Sequence, residues 1–190
     1  MDTQIKTFSL FLLDVFKIVI IALAIVLPIR YFLFQPFVVK GASMEPNYHS
    51  GDYLIIDEIS YRFHTPERGD VIVFKYPYNP ADRYIKRVIG LPGETVEIKG
   101  GQIYISENGK VLVVNESSYL SKDLIDAWKN LEDASPVTLK EGQYFVLGDN
   151  RNASSDSRRW GILPGENIIG KAALQISLPE FLNGLVSPSY

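Results

Sequence analysis

The sequence contains no cysteine and only two histidines, His49 and His64, in 190 residues. The first absence excludes thiol nucleophiles, disulfide staples and cysteine-ligated metal, while leaving the redox compartment open. The second argues against a histidine-rich metal centre, so neither a metal nor any other cofactor is expected. Charge of one sign is also lacking. Nineteen Lys and Arg face 22 Asp and Glu, a net charge of −3, which leaves no basic footprint and no expectation of a nucleic-acid partner. There is no internal repeat and no low-complexity tract. Whatever chemistry the chain performs must come from Ser, Thr, Lys, Arg, Asp and Glu.

Hydrophobicity is plentiful at one end. Ile18 to Ile29 is apolar throughout apart from Pro28. Twelve residues at ~1.5 Å each cover only ~18 Å, short of the ~30 Å hydrocarbon core of a bilayer. A helix from about Asp14 to Phe34 reaches ~31 Å. Lys17 and Arg30 then snorkel toward opposite interfaces, Asp14 pairs with Lys17 one turn away, and Tyr31, Phe32 and Phe34 suit an interfacial belt. A retained single-pass anchor in the lipid bilayer is the expectation. A cleaved secretory signal would need a small-x-small site close behind the apolar run, and Val39-Lys40-Gly41 lies well past it. A buried core helix is the third reading. Lys6 and Lys40 are too evenly divided to set the orientation.

From Gln35 onward the pattern is β-rich. Short apolar or alternating runs at Tyr53 to Ile56, Val71 to Phe74, Tyr84 to Ile89, Thr95 to Ile98, Gln102 to Ile105 and Tyr144 to Leu147 are bounded by turn residues. Gly100-Gly101 and Asn108-Gly109 predict hairpins. Only Ser121 to Glu132 reads as helix, with Ser121 as N-cap and Leu124, Ile125, Trp128 and Leu131 on one face. A mainly β domain is predicted, tethered beside the membrane.

Three segments bear chemistry. In Gly41-Ala42-Ser43-Met44-Glu45-Pro46, two small residues let another backbone approach a serine that can attack a carbonyl; a turn serine is the plain alternative. In Tyr84-Ile85-Lys86-Arg87-Val88, strand geometry puts Lys86 on one face with Tyr84 and Val88. Burial there would lower the lysine pKa toward a usable base; a solvated edge lysine is the alternative. In Gly148-Asp149-Asn150-Arg151-Asn152-Ala153-Ser154-Ser155-Asp156-Ser157-Arg158, the alternation of Ser154, Asp156 and Arg158 would set them on one side of an extended chain, with a solvated loop as the alternative.

In this order, behind an apolar N-terminal span, the three segments closely resemble the bacterial type I signal peptidases, serine proteases of the leader peptidase family with a Ser/Lys dyad. The resemblance covers the span, Phe37 to Leu54, Arg68 to Glu94 and Gly142 to Leu174. It implies Ser43 as nucleophile, Lys86 as general base and Ser154 as the hydroxyl that orients the lysine. It makes Asp156 and Arg158 a supporting ion pair, with Gly148, Asp149 and Asn150 shaping the loop beneath. It implies a β-rich catalytic domain with a variable β-insertion over residues 93–140. Residues 1–34 become the cytoplasmic tip and transmembrane anchor, and residues 35–190 the catalytic domain on the outer side of the bacterial cytoplasmic membrane. The implied substrates are signal peptides of exported preproteins with small residues at positions one and three before the cut. Such a peptide lies extended beside Phe37 to Gly41 and Arg83 to Lys86, with Val39 and Ile85 walling shallow pockets and Phe37, Gly41 and Met44 completing the contact set.

Two departures stand out. Gly41 occupies a position where many members carry a hydroxyl, which leaves the Ser43 N–H as the oxyanion donor. Pro46-Asn47-Tyr48 replaces the usual Pro-Thr-Leu and reads as altered packing. Three rivals are weighed: a Ser-His-Asp arrangement through His49 or His64, a tethered β-module that only binds, and a self-cleaving or narrowly targeted protease of the same clan. Arg68-Gly69-Asp70 reads as a β-turn and not as an adhesion motif.

Overall fold

The computed structural model describes residues 2–32, 34–129 and 133–177. Helix α1 (Asp2–Phe32) runs almost directly into strand β1 (Phe34–Val38). The helix thus begins well before Asp14 and ends at Phe32, and Phe34 opens a strand where the sequence pattern places the end of the span. Lys17 pairs with Asp14 at 3.3 Å, as the one-turn spacing predicts. From Leu10 to Val26 every side chain is exposed, including Phe11, Ile18 and Ile25, so apolar groups project from all sides of the helix. That stretch is about 25 Å long. Among the described residues no helix is long and apolar enough to cross a membrane. The side chains of Lys6, Arg30, Tyr31, Phe32 and Phe34, assigned to the flanks of the span, lie outside those described.

The rest of the chain is mainly β. Strands β2 (Tyr53–Asp57), β3 (Val71–Tyr76), β4 (Asn79–Gly90), β5 (Thr95–Lys99), β6 (Gln102–Glu107), β7 (Lys110–Val113), β8 (Ala134–Thr138), β9 (Gln143–Leu147), β10 (Leu163–Pro164) and β11 (Ile168–Ile176) are joined by helices α2 (Lys122–Trp128) and α3 (Ser157–Trp160). Seven strands form one antiparallel sheet in the order β1-β2-β11-β3-β4-β9-β10, and four form a second in the order β7-β6-β5-β8. Val71 to Phe74 of β3 is buried without interruption, because this central strand is covered on both faces. One face packs Val39, Met44, Leu54, Ile56, Val71, Val73 and Ile85 together. The other packs Ile72, Phe74, Val88, Val146 and Trp160.

The second sheet is built from residues of the expected insertion. Gly100 and Gly101, with φ of +54° and +70°, join β5 to β6; Asn108 and Gly109, at +48° and +76°, join β6 to β7. Positive φ at both central residues gives the tight turn whose twist matches its strands. Ile89, Phe145 and Leu147 of the large sheet pack with Val96, Ile98, Ile103 and Ile105 of the small one around Trp128, so the insertion shares a core with the domain that carries it. Helix α2 is shorter than expected and starts as predicted, with the Ser121 hydroxyl accepting the Leu124 N–H at 3.4 Å. Leu131 and Glu132 lie outside the described residues. Arg68-Gly69-Asp70 is an internal turn: Arg68 bonds Glu94 and the Ile89 carbonyl, and Asp70 accepts from Tyr61. His64 follows a single helical turn, Ser60–Arg62.

Candidate active site

Ser43 sits in the connection between β1 and β2. The loop is pinned at its base by Val39 N–H to Asp52 O and Gly51 N–H to Val39 O, both 2.9 Å. Met44, fully buried, plugs it into the core beneath, which fixes the neighbouring half-buried serine by packing. Gly41 adopts φ of +84°, a conformation that side-chain-bearing residues disfavour. A residue with a hydroxyl would be strained at this turn, so the small residue two before Ser43 is a backbone requirement of this loop.

Lys86 reaches this serine from β4. Its Nζ lies 2.7 Å from Ser43 Oγ and 2.7 Å from the Ile85 carbonyl, and the residue is only 3% exposed. Burial pulls its pKa from 10.5 down to about 8, against the opposing pull of Asp156 and Asp149. Taking an ammonium out of water without a direct anionic partner favours the neutral amine. The shift costs about 3 kcal/mol of stability below about pH 8, and the cost fades as pH rises from there through the unfolded lysine's pKa.

The segment 148–158 forms the floor. Strand β9 pairs with β4, placing Leu147 opposite Arg87, so the loop that follows emerges beside the lysine strand. Asn150 holds the backbone around Ser43 twice: its N–H donates to the Ser43 carbonyl at 3.1 Å and its side-chain amide to the Ala42 carbonyl at 3.0 Å. A Cβ on Gly148 would overlap the Ser43 carbonyl and the Ser154 hydroxyl, which makes glycine a steric necessity here. Asp156 and Arg158 pair through two 2.8 Å contacts. They do so from an unexpected conformation: Asp156 is the N-cap of α3, and Arg158 lies inside that helix. Burial pushes the Asp156 carboxyl up, and the Arg158 fork together with the other polar groups around it, the Gly148 N–H among them, holds the group below the usual carboxylate range. The Asp156 carboxylate also accepts the Gly148 N–H at 3.1 Å. Ser154 is buried beside Gly148, and its hydroxyl has no hydrogen-bond partner among the described residues; the implied bond to Lys86 is not made.

A groove of about 790 Å³ opens in front of the pair, lined by Phe37, Gly41, Ser43, Ile85 and Lys86, with Tyr84 beside them. Val39 and Met44 are not on its wall. Both are buried in the core cluster below, at 1% and 0% exposure. Their apolar side chains fill the core under the loop that carries Ser43, which is why they are not available to the groove. The histidines are elsewhere: neither lines this groove, His49 lies 4.0 Å from Asp52, and His64 contacts Ser60.

Three further residues build the site without a site role having been read for them from sequence. Arg87, next to the lysine, forks onto Asp149 at 2.8 and 2.6 Å. Asn47 donates to Asp149 at 2.7 Å and to the Tyr119 carbonyl at 2.8 Å, so the Pro46-Asn47-Tyr48 departure is a bridge as well as a packing change. Glu116, from the insertion, pairs with Arg151. Arg87 beside Lys86 was the one visible signal, a second cation on the opposite strand face with Asp149 available to meet it.

A family model described as "Signal peptidase, peptidase S26" matches residues 12–177. The chain is 39% identical to a probable signal peptidase I-1 of Synechocystis sp. over 85% of this chain and 81% of that protein. It is 41% identical to a signal peptidase I of Bacillus amyloliquefaciens, covering 81% and 79%. A crystal structure of a signal peptidase I from Enterococcus faecalis, 34% identical, aligns with 57% of this chain and 97% of its own at a TM-score of 0.44.

Two outcomes follow from this geometry. Gly148→Ala should lower the rate of any reaction at Ser43 by about 100-fold, since the collision displaces the Ser43 carbonyl; steady-state kinetics on the folded variant check it. Lys86→Met removes a buried amine whose folded pKa lies below its unfolded value. Chemical denaturation should show a gain of up to about 3 kcal/mol below pH 8, shrinking to nothing as pH rises through the unfolded lysine's pKa.

Proposed function

The chain belongs to the signal peptidase family, peptidase S26, as a serine endopeptidase of the signal peptidase I type that removes signal peptides, and we propose that Ser43 is its nucleophile and Lys86 its general base. The observation that carries this reading is the 2.7 Å contact between Nζ and Oγ inside a site where burial brings the amine to about pKa 8. At an ordinary lysine pKa only about one amine in a thousand is neutral near pH 7.5. At about 8 the neutral form is abundant. One N–H of the amine donates to the Ile85 carbonyl, and in the neutral amine the lone pair is free to accept from the serine hydroxyl.

The neutral amine takes the Ser43 proton as Oγ attacks the substrate carbonyl, and the Ser43 N–H stabilises the developing oxyanion. The ammonium then protonates the leaving amine. Water, deprotonated by the same lysine, hydrolyses the acyl-enzyme. Ser154, buried beside Gly148, is the hydroxyl left to orient the amine as the proton moves.

The signal peptide lies along the groove as an added strand. Two features support this: β1 is an edge of the large sheet, and among the described residues the first half of β4 pairs only with β3, because β9 covers it from Arg87 onward. Ile85 and Tyr84 narrow the groove at the dyad, in keeping with small residues at positions one and three before the cut. Helix α1 anchors the enzyme in the bacterial cytoplasmic membrane with the catalytic domain outside. Support for this comes from the apolar side chains exposed on all its sides, an arrangement that water disfavours and lipid accepts.

Ser43→Ala and Lys86→Ala should each abolish cleavage of a preprotein. In the wild type, kcat/KM should fall about tenfold per pH unit below pH 7, as the base becomes protonated, and level off above about 8. Cleavage by either variant near the wild-type rate, or a flat profile down to pH 5, overturns the dyad. The full chain should remain with lipid vesicles after an alkaline wash, and the paired change Ile21→Arg with Ile25→Arg should release it.

A further inference from the structure

Resting on the Ser43/Lys86 assignment, we propose that the turn 115–120 of the insertion is a positioning element for catalysis, with Glu116 and Tyr119 holding the two arginines that fix the dyad's backbone. Glu116 and Arg151 are each 5% exposed. They meet as a fork, with Nη1 3.0 Å from Oε2 and Nη2 on Oε1. The third donor of the same guanidinium, Nε, bonds the Gly148 carbonyl at 3.0 Å, and the Arg151 carbonyl accepts Arg158 Nη2 at 2.7 Å. Glu116 therefore orients the segment whose Asn150 grips the Ala42 and Ser43 carbonyls. The ring of Trp128, also from the insertion, lies 4.3 Å from the Arg151 guanidinium and completes its enclosure.

Tyr119 serves the other arginine. Its hydroxyl donates to Glu116 Oε1 at 2.5 Å, and its ring lies 4.1 Å from the Arg87 guanidinium. Its carbonyl accepts from Asn47, which also bonds Asp149. Tyr119 N–H and Leu120 N–H close the turn onto the Glu116 carbonyl at 3.1 and 2.9 Å. One short turn thus touches Arg87 beside the base and Arg151 beneath the nucleophile. A surface ion pair would be screened and mobile. A buried planar fork has one geometry, so it transmits position.

The test uses the full chain and measures kcat, KM and melting temperature on one preprotein. Arg151→Lys keeps a charge opposite Glu116 and cannot hold Glu116 and the Gly148 carbonyl together; Glu116→Gln keeps shape and loses the fork. Both should lower kcat by about 10- to 100-fold with KM within about twofold, and Glu116→Asp should restore part of the loss. Tyr119→Phe, a smaller change that serves if Glu116→Gln does not fold, should lower kcat several-fold by the same split. If Arg151→Lys and Tyr119→Phe, or Glu116→Gln where it folds, keep wild-type kcat whatever their melting temperature, the positioning role is overturned. Ser43→Ala, run alongside, tells that result apart from failure of the dyad, since it must be inactive for the dyad to stand.

Discussion

The structure depends on keeping one amine out of water without giving it a carboxylate. Lys86 gives up roughly 3 kcal/mol of folding stability by sitting at a pKa of about 8. A free carboxylate at ~4 Å would contribute about 4 kcal/mol at a protein-like dielectric and return the lysine to its charged form. Yet the floor beneath it contains three buried carboxylates, Asp149, Asp156 and Glu116. Each is held by an arginine fork: Arg87, Arg158 and Arg151 respectively. The arginines do more than brace a loop. They neutralise the charges that would otherwise fix the lysine's proton, which is why Asp156 and Asp149 only moderate its shift.

Much of this was legible in the sequence, and the failures have physical causes. Strands with clean alternation and turn signals, such as β2, β5 and β6, were readable because one face is buried and the period is two. Strand β11 was not, since its register shifts between Ile168 and Gly170 and again between Ala172 and Leu174, breaking the period twice. Strand β8 hides behind Pro136, which its place at the edge of the small sheet tolerates. Ser43 and Lys86 were picked out as candidates because each sits in a short local segment that the resemblance matches. Glu116 was not, because nothing within 30 residues of it in sequence announces Arg151; the contact spans |i−j| of 35. Val39 and Met44 were placed at the groove by the resemblance alone, and both side chains are instead spent on the core cluster beneath the loop.

The segment 154–158 is an instructive mixed case. The expected pairing of Asp156 with Arg158 exists, though not because an extended chain alternates. Asp156 accepts the Arg158 N–H as an N-cap while its oxygens take the guanidinium. The same carboxylate also receives the Gly148 N–H. A cap is a stiffer solution than a strand, because one side chain closes a helix turn, an ion pair and a crossing backbone at once. Gly148 then has to be glycine for a reason unrelated to its dihedral angles: the crossing leaves no room between Ser43 and Ser154.

The join between α1 and the sheet sets how the site can meet its substrate. The groove wall begins at Pro36, four residues beyond the end of the helix at Phe32, and four extended residues span at most about 14 Å. With α1 in a bilayer, as proposed, the near end of the groove is tethered within that distance of the helix terminus. A signal peptide whose apolar segment is itself in the membrane reaches such a groove without leaving the lipid. On that proposed placement helix α1 and β1 act together: the helix would fix the height of the site, and the strand after it would supply the edge to which an extended peptide can add.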